Sequence, residues 1–142
     1  MNEIRKLAEQ LRKTILVLKN RLWIELSEDQ ETIADYNRME LNRGMRADNT
    51  YLPDYSEASV ELYGKLPGPI RLYDTGKFWN SIKIKTTEDT ITILNTDKKY
   101  LPPIDLRGTY DQSIIGISKD NLDDFLEQKI MPALFDELEK LF

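Results

Sequence analysis

Four carboxylates near the C-terminus, Asp120, Asp123, Asp124 and Glu127, form one group of potential cation ligands. Hard cations such as Mg²⁺ or Ca²⁺ favour grouped oxygens. No EF-hand loop surrounds these residues and no second cluster stands at a fixed spacing, so a solvated acidic helix face accounts for them. Thr75-Gly76-Lys77 carries the end of a phosphate-loop signature without the spaced glycines that would cradle a phosphate. Lys98-Lys99-Tyr100, with Tyr110, could offer a small nucleic-acid contact with aromatic stacking; scattered surface lysines are the simpler reading. Arg38, Arg43 and Arg46 flank Gly44 and read as a helix end whose dipole favours cations. The chain contains no cysteine and no histidine. Disulfides, thiolate metal sites and thiol nucleophiles are therefore excluded, and the commonest general base and transition-metal ligand is missing. No catalytic residue, cofactor or metal is called for, and the expectation is a protein that is not an enzyme.

A net charge of −5 over 142 residues argues against broad nucleic-acid binding, which needs a clustered positive face. Hydrophobic residues at 40% and charged residues at 32% describe a globular chain with a heavily charged surface. Apolar runs such as Ile15-Leu16-Val17-Leu18 stop well short of the ~20 residues a membrane span needs. The N-terminus alternates charge and apolarity from Asn2, unlike a signal peptide, so an intracellular product is expected.

The elements that must position these residues follow from periodicity. Ile4, Leu7, Leu11, Ile15, Leu18 and Leu22 fall on one stripe of a long amphipathic helix over about 2–25, widened by Val17 and Trp23. Ser27-Glu28-Asp29-Gln30 has the form of a capping box with Ser27 as N-cap. A second helix would then run through Ile33, Tyr36, Met39 and Glu40 and close at Gly44, giving an N-terminal helical hairpin. From Met45 to Pro69 breakers crowd together (Asp48-Asn49, Pro53-Asp54, Gly64, Pro67-Gly68-Pro69). Ser56 can cap a short helix through Val60, Leu62 and Tyr63 that ends at Gly64. Tyr51, Tyr55, Tyr63 and Tyr73 give this arm an amphipathic surface.

Ile82-Lys83-Ile84-Lys85 and Thr90-Ile91-Thr92-Ile93 alternate at period two, so a β-hairpin is predicted with its turn over Thr86-Thr87-Glu88-Asp89. Ile114-Ile115-Gly116-Ile117 could add an edge strand. Ser118 caps a closing helix carrying Leu122, Phe125, Leu126, Ile130, Leu134, Leu138 and Leu141, which Pro132 either kinks or breaks.

The most distinctive stretch is Leu72-Tyr73-Asp74-Thr75-Gly76-Lys77-Phe78-Trp79-Asn80-Ser81-Ile82. It reads as a strand entering a tight turn, with Asp74 or Thr75 accepting from the backbone two residues on and Phe78 and Ile82 re-entering the core. The form Leu-x-x-Thr-Gly-x-Phe, followed by Ser-Ile and a hairpin, resembles segments of phage neck, tail-completion or minor tail proteins. The order Tyr55-Ser56, then Pro67-Gly68-Pro69-Ile70-Arg71-Leu72, is similar to theirs. So is Ile115-Gly116-Ile117 leading into a capped helix with Pro132 inside it. The helix Tyr36 to Gly44 resembles their asparagine- or glutamine-leucine-glycine turn. Met45-Arg46-Ala47-Asp48-Asn49 departs from that pattern, where an Asp and a further Gly in a tight loop would follow. The resemblance spans roughly residues 36–142.

The expected architecture is α+β in a single domain, 1–142: a helical hairpin over 1–44, an extended tyrosine-rich arm or loop over 45–70, and a small antiparallel sheet plus a long C-terminal helix lying across it over 71–142. The resemblance implies a virion structural protein, one subunit of a homo-oligomeric ring in the neck, collar or tail-completion region joining capsid and tail. Its partners would be further copies and neighbouring virion proteins, with DNA passing through a channel but without sequence-specific binding and without a membrane. It would reside in the virion, and in the host cytoplasm during assembly. Tyr51, Tyr55, Tyr63, Leu72, Tyr73, Phe78 and Trp79 are the candidate subunit-contact residues, Trp23 and Trp79 being readable as either core or interface. Two rivals stand beside this reading. One is a small phage or bacterial regulatory protein that binds partners through the helical hairpin. The other is a carboxylate-dependent nuclease or hydrolase using Asp120 or Asp124.

Overall fold

A computed structural model describes residues 2–87 and 89–141 and has the expected α+β character: a long N-terminal helix, a two-stranded antiparallel sheet and a long C-terminal helix. The residues fall into two compact units, one made of 1–29 with 123–142 and the other of 30–122.

In the first unit, α1 (Asn2–Glu28) runs three residues further than the periodicity suggested. Ser27 lies inside it and caps nothing; the Asp29 N–H still donates to the Glu25 carbonyl at 2.9 Å, so the helix hydrogen bonding reaches the residue that ends it. The closing helix consists of α6 (Lys119–Phe125), one turn of π-helix (Leu126–Ile130) and α7 (Met131–Leu141). Pro132 does not break it. Proline lacks an N–H and its ring crowds the preceding turn. The π turn widens the backbone just before it, the Met131 N–H reaching back five residues to the Leu126 carbonyl. α7 lies along α1, with Arg21 bridging to Glu137 at 3.2 Å. Leu26, Phe125, Ile130 and Ala133 are buried. Phe142, the expected last residue of this helix, lies outside the described residues.

The second unit opens with α2 (Gln30–Asn42). Its C-terminus is a Schellman motif: Gly44 N–H bonds the Leu41 carbonyl and Met45 N–H the Glu40 carbonyl. Gly44 has φ of +69°, and a Cβ there would come within 2.2 Å of the Pro69 side chain. Glycine is required twice at this position. The buried stripe of α2 is Ile33, Ala34, Asn37, Glu40 and Leu41; Met39, expected on it, is half exposed.

The 45–51 loop is tight despite lacking the expected second glycine. Met45 and Tyr51 form an antiparallel bridge, and Asn49 takes the left-handed φ of +66°. Asn tolerates that region because its short polar side chain can bond locally. Ser56 caps α3 (Glu57–Tyr63) by accepting from Ser59 N–H at 3.1 Å, and Gly64 ends it, as the sequence indicated. A bridge between Asp54 and Pro69 closes the arm at its base.

No strand leads into the Leu72–Gly76 segment. Leu72 has φ of +55°, which breaks an extended run at once. Thr75 does accept from the backbone two residues on, Lys77 N–H at 3.3 Å, and α4 (Lys77–Asn80) begins there. β1 (Ile82–Thr86) and β2 (Ile91–Asn95) pair antiparallel with Ile84 opposite Ile93. Of the expected turn, Glu88 lies outside the described residues; Thr87 N–H donates to the Thr90 carbonyl. The short helix α5 (Leu106–Tyr110) and 3-10 turns at Lys98–Tyr100 and Gln112–Ile114 complete the unit. Its core joins Ala34, Leu41, Leu52, Phe78, Ile82 and Ile114, with Ile84, Ile93, Tyr100 and Tyr110 partly buried around them.

The sequence reading laid the C-terminal helix on the sheet; the helix found against β1 is α2, while α7 lies along α1. The edge strand expected at Ile114–Ile117 is also absent. Asn37, fully buried, donates from Nδ2 to the Ile114 carbonyl at 3.0 Å and accepts at Oδ1 from Gly116 N–H at 3.1 Å. One side chain of α2 thus takes the ladder groups that a strand would have used.

Candidate functional site

Six of the seven nominated contact residues converge. Tyr55, Tyr63, Tyr73 and Trp79 line an open cleft of about 530 Å³ between α3, the segment after Gly64 and α4. Tyr55 and Tyr73 also line an adjoining hollow of about 210 Å³ with Leu72 and Phe78. Tyr51 stands apart, exposed at the bridge with Met45. Phe78 contributes only an edge: at 6% exposure it belongs to the core, against Tyr100 at 6.4 Å between ring centroids, because the four-residue α4 turns this side chain inward and leaves Trp79 half-buried. As a subunit-contact residue it is therefore withdrawn. Trp79 is half-buried, which answers for this residue the question of core or surface: it is both.

The cleft walls are held by polar contacts to backbone. Trp79 Nε1–H donates to the Arg71 carbonyl at 2.9 Å, and its ring meets Tyr73 edge-on, 4.9 Å between centroids at 74°. The hydroxyl of Tyr55 accepts from Arg71 N–H at 3.2 Å. Lys65 Nζ donates to the Tyr73 carbonyl at 3.0 Å and stands 5.7 Å from the Tyr55 ring centroid, within cation–π range. Gly76, at φ +83°, brings the turn against Tyr73, whose ring atoms lie 3.1–3.3 Å from where a Cβ would be. Leu72 in the left-handed region costs roughly 1–2 kcal/mol, an expense that hydrogen bonds on both sides hold in place.

Chemically the cleft offers rigid aromatic faces beside two cations, Lys65 and Arg71, and the exposed side chains of Tyr63 and Leu66. Tyrosine and tryptophan supply large contact area with few rotatable bonds, and with arginine they dominate protein interfaces.

No protein-family model matches the chain, and no curated protein or solved structure is similar to it.

The other nominated clusters have structural employment. Arg38 pairs with Glu31 and with Asp35 at 2.7 Å, and its Nε–H donates to the Trp79 carbonyl at 3.0 Å, bracing the back of the cleft. Arg46 ties the 45–51 loop to α5 through the Tyr110 carbonyl at 2.7 Å. Lys98-Lys99-Tyr100 form a 3-10 turn capped by Asp97, and Tyr100 and Tyr110 pack on the core. Asp120, Asp123, Asp124 and Glu127 are exposed along α6 and the π turn. Among the described residues no three such groups gather where they could hold a metal ion. No described helix is long and apolar enough to cross a membrane.

Sequence reasoning missed Glu40. It is 4% exposed and accepts at Oε1 from Ser118 N–H at 2.5 Å and from Asn121 Nδ2 at 2.9 Å, while Oε2 has no partner. Burial pushes its carboxyl pKa up, partly offset by those hydrogen bonds. Its spacing was the available signal: Ile33, Asn37, Glu40 and Leu41 share one helical face.

Proposed function

We propose that the chain is a virion structural protein, a subunit of an oligomeric ring in the neck, collar or tail-completion region that joins a phage capsid to its tail. The observation that carries the assembly part of this reading is the convergence of Tyr55, Tyr63, Tyr73 and Trp79 on one open cleft beside the exposed helix α3. A surface of that composition suits a neighbouring chain better than a small metabolite. Two further features support repeated self-contact. The sheet has only two strands, so the outer edges of β1 and β2 carry no strand neighbour among the described residues and can pair between copies. Exposed apolar side chains also recur in the other unit, on α1 and α7. A protein with more than one contact face builds closed rings when the contacts repeat by rotation. The virion and neck placement rests on the resemblance of the Leu72–Ile82 segment and its flanks.

Native mass spectrometry of the purified chain tests the assembly part. A discrete closed oligomer is expected, weakened by Tyr63→Ala and Trp79→Ala at unchanged helix content. A monomer at all concentrations up to ~100 μM, far above the micromolar range in which specific contacts hold, would remove the ring.

The regulatory reading is favoured by one specific observation, the exposed apolar face of α1. It differs in outcome: a stable monomer or dimer that is never incorporated into particles.

A further inference from the structure

α1 carries an apolar seam whose N-terminal part, Ile4 to Ile15, its own chain leaves largely open, while Ala8, Leu18 and Leu22 are partly buried. Ile4, Ala8, Leu11, Ile15, Leu18 and Leu22 alternate at spacings of four and three, the heptad spacing that lets helices pack knobs into holes. Ile4, Leu11 and Ile15 are 67%, 53% and 64% exposed, and Leu7 beside them 57%. Single exposed leucines need no explanation, but a contiguous stripe does.

Charge identifies the occupant. Arg5, Arg12 and Lys19 each follow a seam residue by one position, so a basic row seven residues in period flanks the seam. Over 2–20 there are five basic residues against two acidic. Another copy of α1 is a poor match. Antiparallel, it would set Arg12 against Arg12 and Arg5 against Lys19; parallel, the basic row would face Leu7, Thr14 and Arg21, with no acid to meet. The flanking positions of paired helices set partner and orientation by opposite charge.

The complementary surface lies on the same unit. Over 119–141 there are seven acidic residues against three basic. On the outward side of α7, Met131 and Phe135 are exposed one turn apart. Glu127 precedes this apolar patch by one turn and Glu139 follows it by one, both exposed. Arg5 and Lys19 are about 21 Å apart along α1, and Glu127 and Glu139 about 18 Å apart along the closing helix, at 1.5 Å per residue.

The geometry points to a copy-to-copy contact in which the α1 seam of one subunit docks on the Met131–Phe135 face of a second, the basic row of α1 meeting Glu127 and Glu139. The two faces are different, so the contact is heterologous and each subunit has one of each to offer. This inference rests on the assembly reading above and names the surfaces that would close the ring.

The absence of cysteine makes cross-linking unambiguous. Full-length Leu11→Cys and Phe135→Cys would be prepared separately, mixed and oxidised. A cross-linked heterodimer in the mixture is expected, with each variant alone remaining largely uncross-linked. Cross-linking of Leu11→Cys with itself at equal yield would overturn the proposal in favour of an α1–α1 coil, and no cross-link in the mixture would overturn it outright.

The oligomer mass of charge variants provides the second arm. Arg5→Glu with Lys19→Glu in one chain, and Glu127→Lys with Glu139→Lys in another, should each weaken association about tenfold, and mixing the two should recover it, since contacts between the unlike variants are again complementary. An oligomer of unchanged mass that is indifferent to both pairs of substitutions and gives no cross-link leaves the ring reading standing and removes this contact. A wild-type chain that is monomeric throughout removes both.

Discussion

Helices α1 and α2 are nearly consecutive in sequence and treat their side chains in opposite ways. α2 turns polar groups inward: Asn37 and Glu40 are buried and together bind the backbone at Ile114, Gly116 and Ser118. α1 leaves apolar groups outward, with Ile4, Leu7, Leu11 and Ile15 all more than half exposed. A buried, satisfied polar group ties a helix to its own chain, because any rearrangement leaves it unpaired at a cost of about 1–3 kcal/mol. An exposed apolar seam holds binding free energy in reserve, about 25 cal/mol for each Å² later covered. The contrast separates a frame built to stay fixed from a surface suited to a partner.

The strongest way to break this comparison is to empty the frame. Leu41→Ala, at 0% exposure in the second unit's core, should cost about 2–5 kcal/mol in chemical denaturation. A cost below 1 kcal/mol would show that α2 is not the keystone of that core.

Asn37→Ala should follow at about 2–4 kcal/mol, since it strands the Gly116 N–H and the Ile114 carbonyl together. Hydrogen exchange would be expected to rise first at Gly116. Protection unchanged there would mean that the loop is held by something else.

Glu40 sharpens the comparison through pH. Its folded pKa is raised by burial, so the native state holds a proton that the unfolded chain has released. Stability contributed by this group is therefore greatest at acid pH and falls as pH rises from the ordinary glutamate value of 4.5 through the raised one. Glu40→Gln keeps an acceptor for Ser118 N–H and Asn121 and removes the ionisation. Denaturation across pH 4 to 8 should show that this variant is at least as stable as wild type at neutral pH and has lost that part of the slope. A variant that is less stable at pH 7 would show that the charge itself is needed.

The smallest expected effect lies on α1. Leu11→Ala should change the stability of the isolated subunit by no more than about 0.5 kcal/mol, as for exposed positions generally, while weakening association. A large loss of subunit stability would mean that the seam is already filled within its own chain.

The fold was largely legible because long periodic segments and turn chemistry dominate it. The α1 stripe, the Ser56 cap, the Gly44 and Gly64 terminations and the two strands of the hairpin follow from local rules, whereas its register does not: Thr86, read as turn, pairs with Ile91. What escaped depends on contacts distant in sequence. Asn37 takes the ladder groups of Ile114 and Gly116, 77 and 79 residues away, and so erased the expected edge strand. The role of α2 on the sheet was hidden because its buried face contains Asn and Glu, which hydrophobic periodicity does not count. The π turn before Pro132 has no local signature beyond the proline. For the candidate site, aromatic type nominated Tyr55, Tyr63, Tyr73 and Trp79 as contact residues, but that they line one cleft became visible only in the fold. Lys65 and Arg71 escaped notice because an isolated lysine or arginine in a loop carries no signal until folding sets it beside a ring.

The claim at the centre of this account is that the chain is a repeated structural subunit of a virion. Quantitative mass spectrometry of purified particles from the organism that encodes it is the most direct test. A fixed copy number per particle, about six or twelve, is the predicted result, closed rotational symmetry requiring a constant whole number of subunits. Complete absence from particles while the protein is abundant in the producing cell would contradict it.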